Sequence, residues 1–135
     1  MREAQVEWRE EYATGVEQVD QDHRMIFQMS GDFRRALDDG LGDEVYPVFL
    51  DDLKLYCGGH FGFEEECMTA HRCPVARENK AAHEKFLQTL AGFQRRYDAH
   101  GYSDSDARRL VDTMDQWLDS HICNIDIHLK RCVSK

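Results

Sequence analysis

Five side chains able to hold a cation stand where the helical repeat of this sequence calls for apolar residues. His23 shares a stripe with Val19, Ile26, Phe27, Phe33 and Leu37. His60 and Glu64 share one with Val45, Phe49, Leu53, Tyr56 and Cys67 or Met68. His83 follows Val75 and Asn79 and precedes Phe86, Leu87, Leu90, Phe93 and Tyr97. His121 continues a stripe from Leu110, Met114, Trp117 and Leu118 towards Ile125, Leu129 and Cys132. A single histidine on such a face reads as a hydrogen-bonded core residue. Four from four stripes, with a carboxylate among them, do not, because buried imidazoles and carboxylates need something to offset their lost hydration. A metal centre does this, and helical-bundle cores are where such centres are built.

The spacing narrows the chemistry. His60 and Glu64 are four residues apart and point the same way off one helix. His121 and Asp126 are five apart, about 140° around a helix axis. Asp126 reaches the same centre only from the flank, as a short carboxylate bridging two ions would. Imidazole with carboxylate suits iron, zinc, copper or manganese better than calcium or magnesium. The doubled Glu-x-x-His signature of carboxylate-rich di-iron bundles is absent.

The elements that must carry these residues are four helices. The periodicity predicts them from about Asp20 to Asp38, from about Asp43 to Ala70, from just after Pro74 to the turn at Gly101, and from Ser103 onward. Gly40, Gly42 and Gly101 punctuate the turns, and Gly58, Gly59 and Gly62 should weaken the middle of the second helix. Ser103 with Asp106 resembles a capping box. Short turns between long helices imply an all-α fold, an up-down-up-down antiparallel four-helix bundle. Residues 1–18 read as an extended N-terminal arm packed by Trp8, Tyr12 and Val16.

The 135 residues suit a single domain spanning 1–135, and the 41% hydrophobic content supports a core. A formal charge of −9 argues against nucleic acid and anionic membranes as partners. No apolar run approaches the roughly 18 residues needed to cross a bilayer, and no signal peptide is visible. Five cysteines, an odd number without a C-x-x-C pair, suggest free thiols and a cytoplasmic location.

Taken in order, Asp20-Gln21-Asp22-His23, His60-Phe61-x-x-Glu64-Glu65-x-x-Met68, His83-x-x-Phe86 and Trp117-Leu118-x-x-His121-Ile122-x-x-x-Asp126 resemble the bacterial hemerythrins over nearly the whole chain. The resemblance implies two non-haem iron ions with an oxo or hydroxo bridge, and dioxygen or a small anion as exogenous ligand. It implies that His23 and His60 ligate one iron, His83 and His121 the other, and that Glu64 and Asp126 bridge them. Phe61, Met68, Trp117 and Leu118 would wall an oxygen pocket from which water and protons are excluded.

One position departs from the family pattern. Where the third helix normally carries His-x-x-x-His, this chain has Asn79 and then His83. Asn79 could bind weakly through its amide oxygen or be only a polar core residue, but the favoured reading is a position that is open or holds a water, leaving exchangeable positions on both irons. That tilts the expected role from oxygen carriage or storage towards oxygen or redox sensing, with a fused or partner signalling domain such as a diguanylate cyclase. A di-iron peroxidase or oxidase is the weaker alternative, and the chain itself is read as non-enzymatic. His71, His100 and His128 are expected to be bystanders, and Glu65 and Glu66 a solvated face.

Overall fold

The structure, a computed structural model, describes Glu10 and residues 13–121. Four helices follow one another: α1 (Glu17–Asp38), α2 (Gly42–Ala70), α3 (Ala76–His100) and α4, described over Asp104–His121. No strand occurs among the described residues. Connections over 39–41, 71–75 and 101–103 are too short for anything but reversal, so successive helices run antiparallel. α2 packs on α1 and α3, and α4 packs on the same two, which closes the expected four-helix bundle. No helix among the described residues is long and apolar enough to cross a membrane.

The helix ends follow from local chemistry. Ser103 caps α4, its Oγ accepting the Asp106 N–H at 3.2 Å, while the Asp106 side chain turns to Arg96 of α3 at 3.6 Å. Gly101 ends α3 at φ +79, a conformation that disfavours a side chain. Gly42 is required by close approach: a Cβ there would run into the Tyr102 ring and come within 2.9 Å of Leu37. α3 begins at Ala76, two residues after Pro74. Pro74 occupies the second position of a turn closed by Ala76 N–H to the Cys73 carbonyl, at 3.1 Å, a place that suits its fixed φ. α2 runs unbroken through Gly58, Gly59 and Gly62, all exposed, where a Cβ would meet nothing. Their cost of up to about 1 kcal/mol each is borne by packing along the opposite face.

The core divides into two apolar parts with the histidines between them. The larger holds Phe33 stacked on Phe49 (4.0 Å, 6°) and Tyr46 edge-on to Tyr97 and Tyr102, with Leu50, Leu53, Leu90 and Leu110 buried around them. The smaller holds Val19, Met68 and Cys73. Along α1 the order is Val19, His23, Ile26, and along α2 it is Leu53, His60, Glu64, Met68. A polar clasp joins α1 to α4: Ser30 Oγ donates to Asp115 at 2.5 Å, and Arg34 reaches Asp115 at 2.7 Å and Asp112 at 2.8 Å. Burial opposes the Arg34 charge, but these carboxylates outweigh it and hold its pKa above the ordinary value.

One expectation from the sequence needs correction, and two fall outside the described residues. Cys57 and Cys67 are free, as expected, but Cys73 is disulfide-bonded. The N-terminal arm with Trp8 and Tyr12, and the stretch of the fourth helix beyond His121, lie outside the described residues. What is described of the approach to α1 is tied to Asp20, which accepts from both the Thr14 N–H and its hydroxyl at 2.8 Å.

Candidate metal centre

The centre is built around one carboxylate. Glu64 is fully buried, and its two oxygens face two different pairs of imidazoles. Oε2 lies 3.3 Å from His23 Nε2 and 3.5 Å from His60 Nε2. Oε1 lies 3.1 Å from His83 Nε2 and 3.7 Å from His121 Nε2. The donors thus form two groups, His23–His60–Glu64 and Glu64–His83–His121, each with ligand atoms within 4.8 Å of one another. All five residues are buried. Each helix supplies its part because each side chain continues the inward stripe of that helix.

Two further carboxylates orient the imidazoles from outside. His60 Nδ1 lies 3.0 Å from Asp22 Oδ2, and His83 Nδ1 lies 3.0 Å from Glu65 Oε2. A carboxylate is acceptor-only, so these contacts assign the proton of the neutral ring to Nδ1. Nε2 then presents a lone pair towards Glu64, itself an acceptor. Two acceptors facing each other at 3.1 to 3.5 Å in a buried site call for a cation between them. The donor set therefore fits two metal ions, one for each of the two groups that share Glu64.

Aromatic rings cover one side. Phe61 stacks on His83 (3.8 Å, 2°) and Trp117 on His121 (4.3 Å, 11°), with Phe86 behind Trp117 (4.5 Å, 26°). Two open clefts reach the outer carboxylates. One of about 410 Å³ is lined by Gln18, Asp22, Tyr56, Gly59, His60 and Phe63. The other, of about 540 Å³, lies by Glu65, Glu66 and Lys80.

His23, His60, Glu64, His83 and His121, singled out in the sequence, thus come together. Asp126 lies outside the described residues. Asn79 is wholly buried one turn before His83 on the same face of α3. Of the pocket residues, Phe61 and Trp117 lie against the imidazoles, and Leu118 is buried in the main core. Met68 belongs to the smaller apolar part with Val19 and Cys73. His71 and His100 are exposed at helix ends, and His128 lies outside the described residues. Glu65 corrects the solvated-face reading: its side chain is 28% exposed and holds His83, whereas Glu66 is exposed. Asp22 was also missed. The only signal for either is adjacency to a ligand, since a neighbour about 100° around the helix can touch the next helix.

Comparison with known proteins agrees with this architecture. The family model described as the hemerythrin HHE cation binding domain matches residues 14–133. A bacteriohemerythrin of Stenotrophomonas maltophilia is 31% identical over 115 residues, covering 85% of this chain and 72% of the relative. One of Pseudomonas aeruginosa is 26% identical over 123 residues, covering 91% and 78%. One of Clostridium acetobutylicum is 23% identical over 125 residues, covering 88% and 94%.

Proposed function

The chain belongs to the hemerythrin HHE family, a family of non-haem di-iron oxygen-binding domains, and from that premise we propose that it is an oxygen- or redox-sensing domain governing a signalling output in the cytoplasm. The observation that carries the di-iron reading is the division of the two Glu64 oxygens between two imidazole pairs. In this reading His23 and His60 would hold one iron and His83 and His121 the other, with Glu64 and Asp126 as the carboxylates serving both. When bound, the iron pair supplies the electrons for dioxygen uptake.

The chain's own residues set the conditions for that uptake. Asp22 and Glu65 fix the rings of His60 and His83. Phe61 and Trp117 cover the His83 and His121 faces and keep water from them, and in this reading the buried Leu118 and Met68 would complete the apolar wall. Asn79 replaces an imidazole of the family pattern beside His83. Fewer imidazoles on that half leave exchangeable positions on both, which admits small anions and speeds oxidation. A site that oxidises quickly serves poorly as a carrier and well as a reporter, whose output would come from a fused or partner domain such as a diguanylate cyclase.

Metal analysis should find two irons per chain, and one zinc would overturn the reading. Diferrous protein mixed with air in a stopped-flow instrument should oxidise within minutes. An oxygenated spectrum persisting for many hours would return the chain to carriage or storage.

A further inference from the structure

We propose that Asp22 and Glu65 are positioning residues, one for each half of the metal centre, each holding a ligand imidazole on the neighbouring helix. The inference rests on the two-metal reading and assigns residues that the ligand set alone does not include. Asp22 reaches from α1 to His60 on α2, and Glu65 reaches from α2 to His83 on α3, both at 3.0 Å from Nδ1. Each is the sequence neighbour of a residue of the centre, His23 or Glu64, and therefore points off that helix towards the next one. The same contact thus does two things. It fixes the tautomer and rotation that aim Nε2 at Glu64, and it ties adjacent helices at the level of the centre. Outer carboxylates of this kind typically govern metal affinity by about 10- to 100-fold.

The two are not equally secured. Asp22 is held on its own account: Gln18 Nε2 donates to its other oxygen at 2.9 Å, and the Tyr56 hydroxyl donates to its main-chain carbonyl. Glu65 stands at the edge of the open cleft that also holds Lys80. It serves the half in which Asn79 stands where the family pattern has a third imidazole. Loss of Glu65 should therefore cost its metal more than loss of Asp22 costs the other.

The test is titration of the metal-free full chain with Co(II), followed by visible absorption, with far-ultraviolet circular dichroism as the check on folding. Wild type should take up two Co(II). Glu65→Ala should weaken one site by about 10- to 100-fold and Asp22→Ala the other by less. The band lost in Glu65→Ala should match that lost in His83→Ala, and the band lost in Asp22→Ala that lost in His60→Ala. Glu65→Gln and Asp22→Asn, which keep an acceptor oxygen, should recover most of the affinity. Two unchanged sites in both alanine variants would overturn the inference alone. Equal weakening of both sites by either variant would reduce it to a general structural role and overturn it too. Fewer than two Co(II) in wild type would overturn the two-metal reading, and the inference with it.

Discussion

The two halves of the centre share one carboxylate but are dressed differently. On the His23 and His60 side the rings meet edge-on (4.8 Å, 75°), and their surroundings are polar, with Asp22, Gln18 and Tyr56 linked by hydrogen bonds. On the His83 and His121 side the ring faces are covered by Phe61 and Trp117. Stacking gives broad, dry contact but fixes rotation in the ring plane weakly, whereas a hydrogen bond to Nδ1 fixes it strongly. The second half thus excludes water better, and the Glu65 carboxylate at 3.0 Å from Nδ1 fixes the rotation of His83. The halves differ in the same sense as their imidazole complement, because Asn79 stands on the aromatic side.

The change that abolishes the distinction is Glu64→Ala. It removes the carboxylate that both halves share, one oxygen to each, so both metals should be lost together. Affinity should fall by more than about 100-fold, beyond the range typical of an outer carboxylate. Metal content per chain after desalting checks it, and retention of one tightly held metal would show that the halves are independent. Next comes Phe61→Ala, whose ring stacks on His83 at 3.8 Å and lies more distantly, at 6.0 Å and tilted, from His60. Truncating this buried ring should cost about 3–5 kcal/mol in urea unfolding of the metal-free chain. It should also speed oxidation of the diferrous protein, because water reaches His83. The His83 and His121 band should move more than the His23 and His60 band, and equal movement of both would remove the aromatic cover as a distinction between the halves.

How much of this could be read beforehand follows from geometry. The four histidines and Glu64 were legible because a polar side chain in an apolar stripe breaks a 3.6-residue pattern, and the pattern itself fixes which face is inward. The bundle was legible from the same stripes and from the turns around Gly40 and Gly101. Asp22 and Glu65 were not, because they stand on the helix flank, where polar residues are expected. Glu65 also lies within Glu64-Glu65-Glu66, so only the contact with His83 separates it from Glu66. The Ser30–Asp115–Arg34 clasp was hidden for the same reason: it joins residues 81 and 85 positions apart, and no local period relates them. Pro74 marked the approach to the third helix, although a proline suits the first turn of a helix and the second position of a turn alike, and here it takes the turn.

Asn79→His tests whether the halves differ through imidazole number. It should slow oxidation of the diferrous protein by about tenfold, equivalent to about 1.4 kcal/mol on the barrier. The larger ring in a fully buried position should cost about 1–3 kcal/mol of metal-free stability. Slower oxidation together with an unchanged His23 and His60 band would sharpen the comparison. An unchanged oxidation rate would remove Asn79 as its cause.

The smallest effect is expected outside both halves, at Tyr46. Its ring lies in the larger apolar part, and its hydroxyl is buried without a hydrogen-bond partner. Burial, then the nearby Asp106 charge, pushes its pKa up from 10.0 to about 12. A pKa raised by folding means that the native state keeps a proton the unfolded chain gives up. That contribution is complete below pH 10 and is lost as pH rises through about 12. Tyr46→Phe removes an unpaired hydroxyl and should leave stability at pH 7.5 unchanged or raised by up to about 1 kcal/mol. Between pH 10 and 12 the variant should lose less stability than wild type, in urea unfolding of the metal-free chain at matched salt. Both Co(II) bands should be unaltered, since the ring packs on Phe33, Tyr97 and Tyr102 in the larger apolar part. A shift of one band alone would mean that the apolar end of the bundle supports one half of the centre and not the other. The contrast between the halves would then extend from the ligands to the packing beneath them.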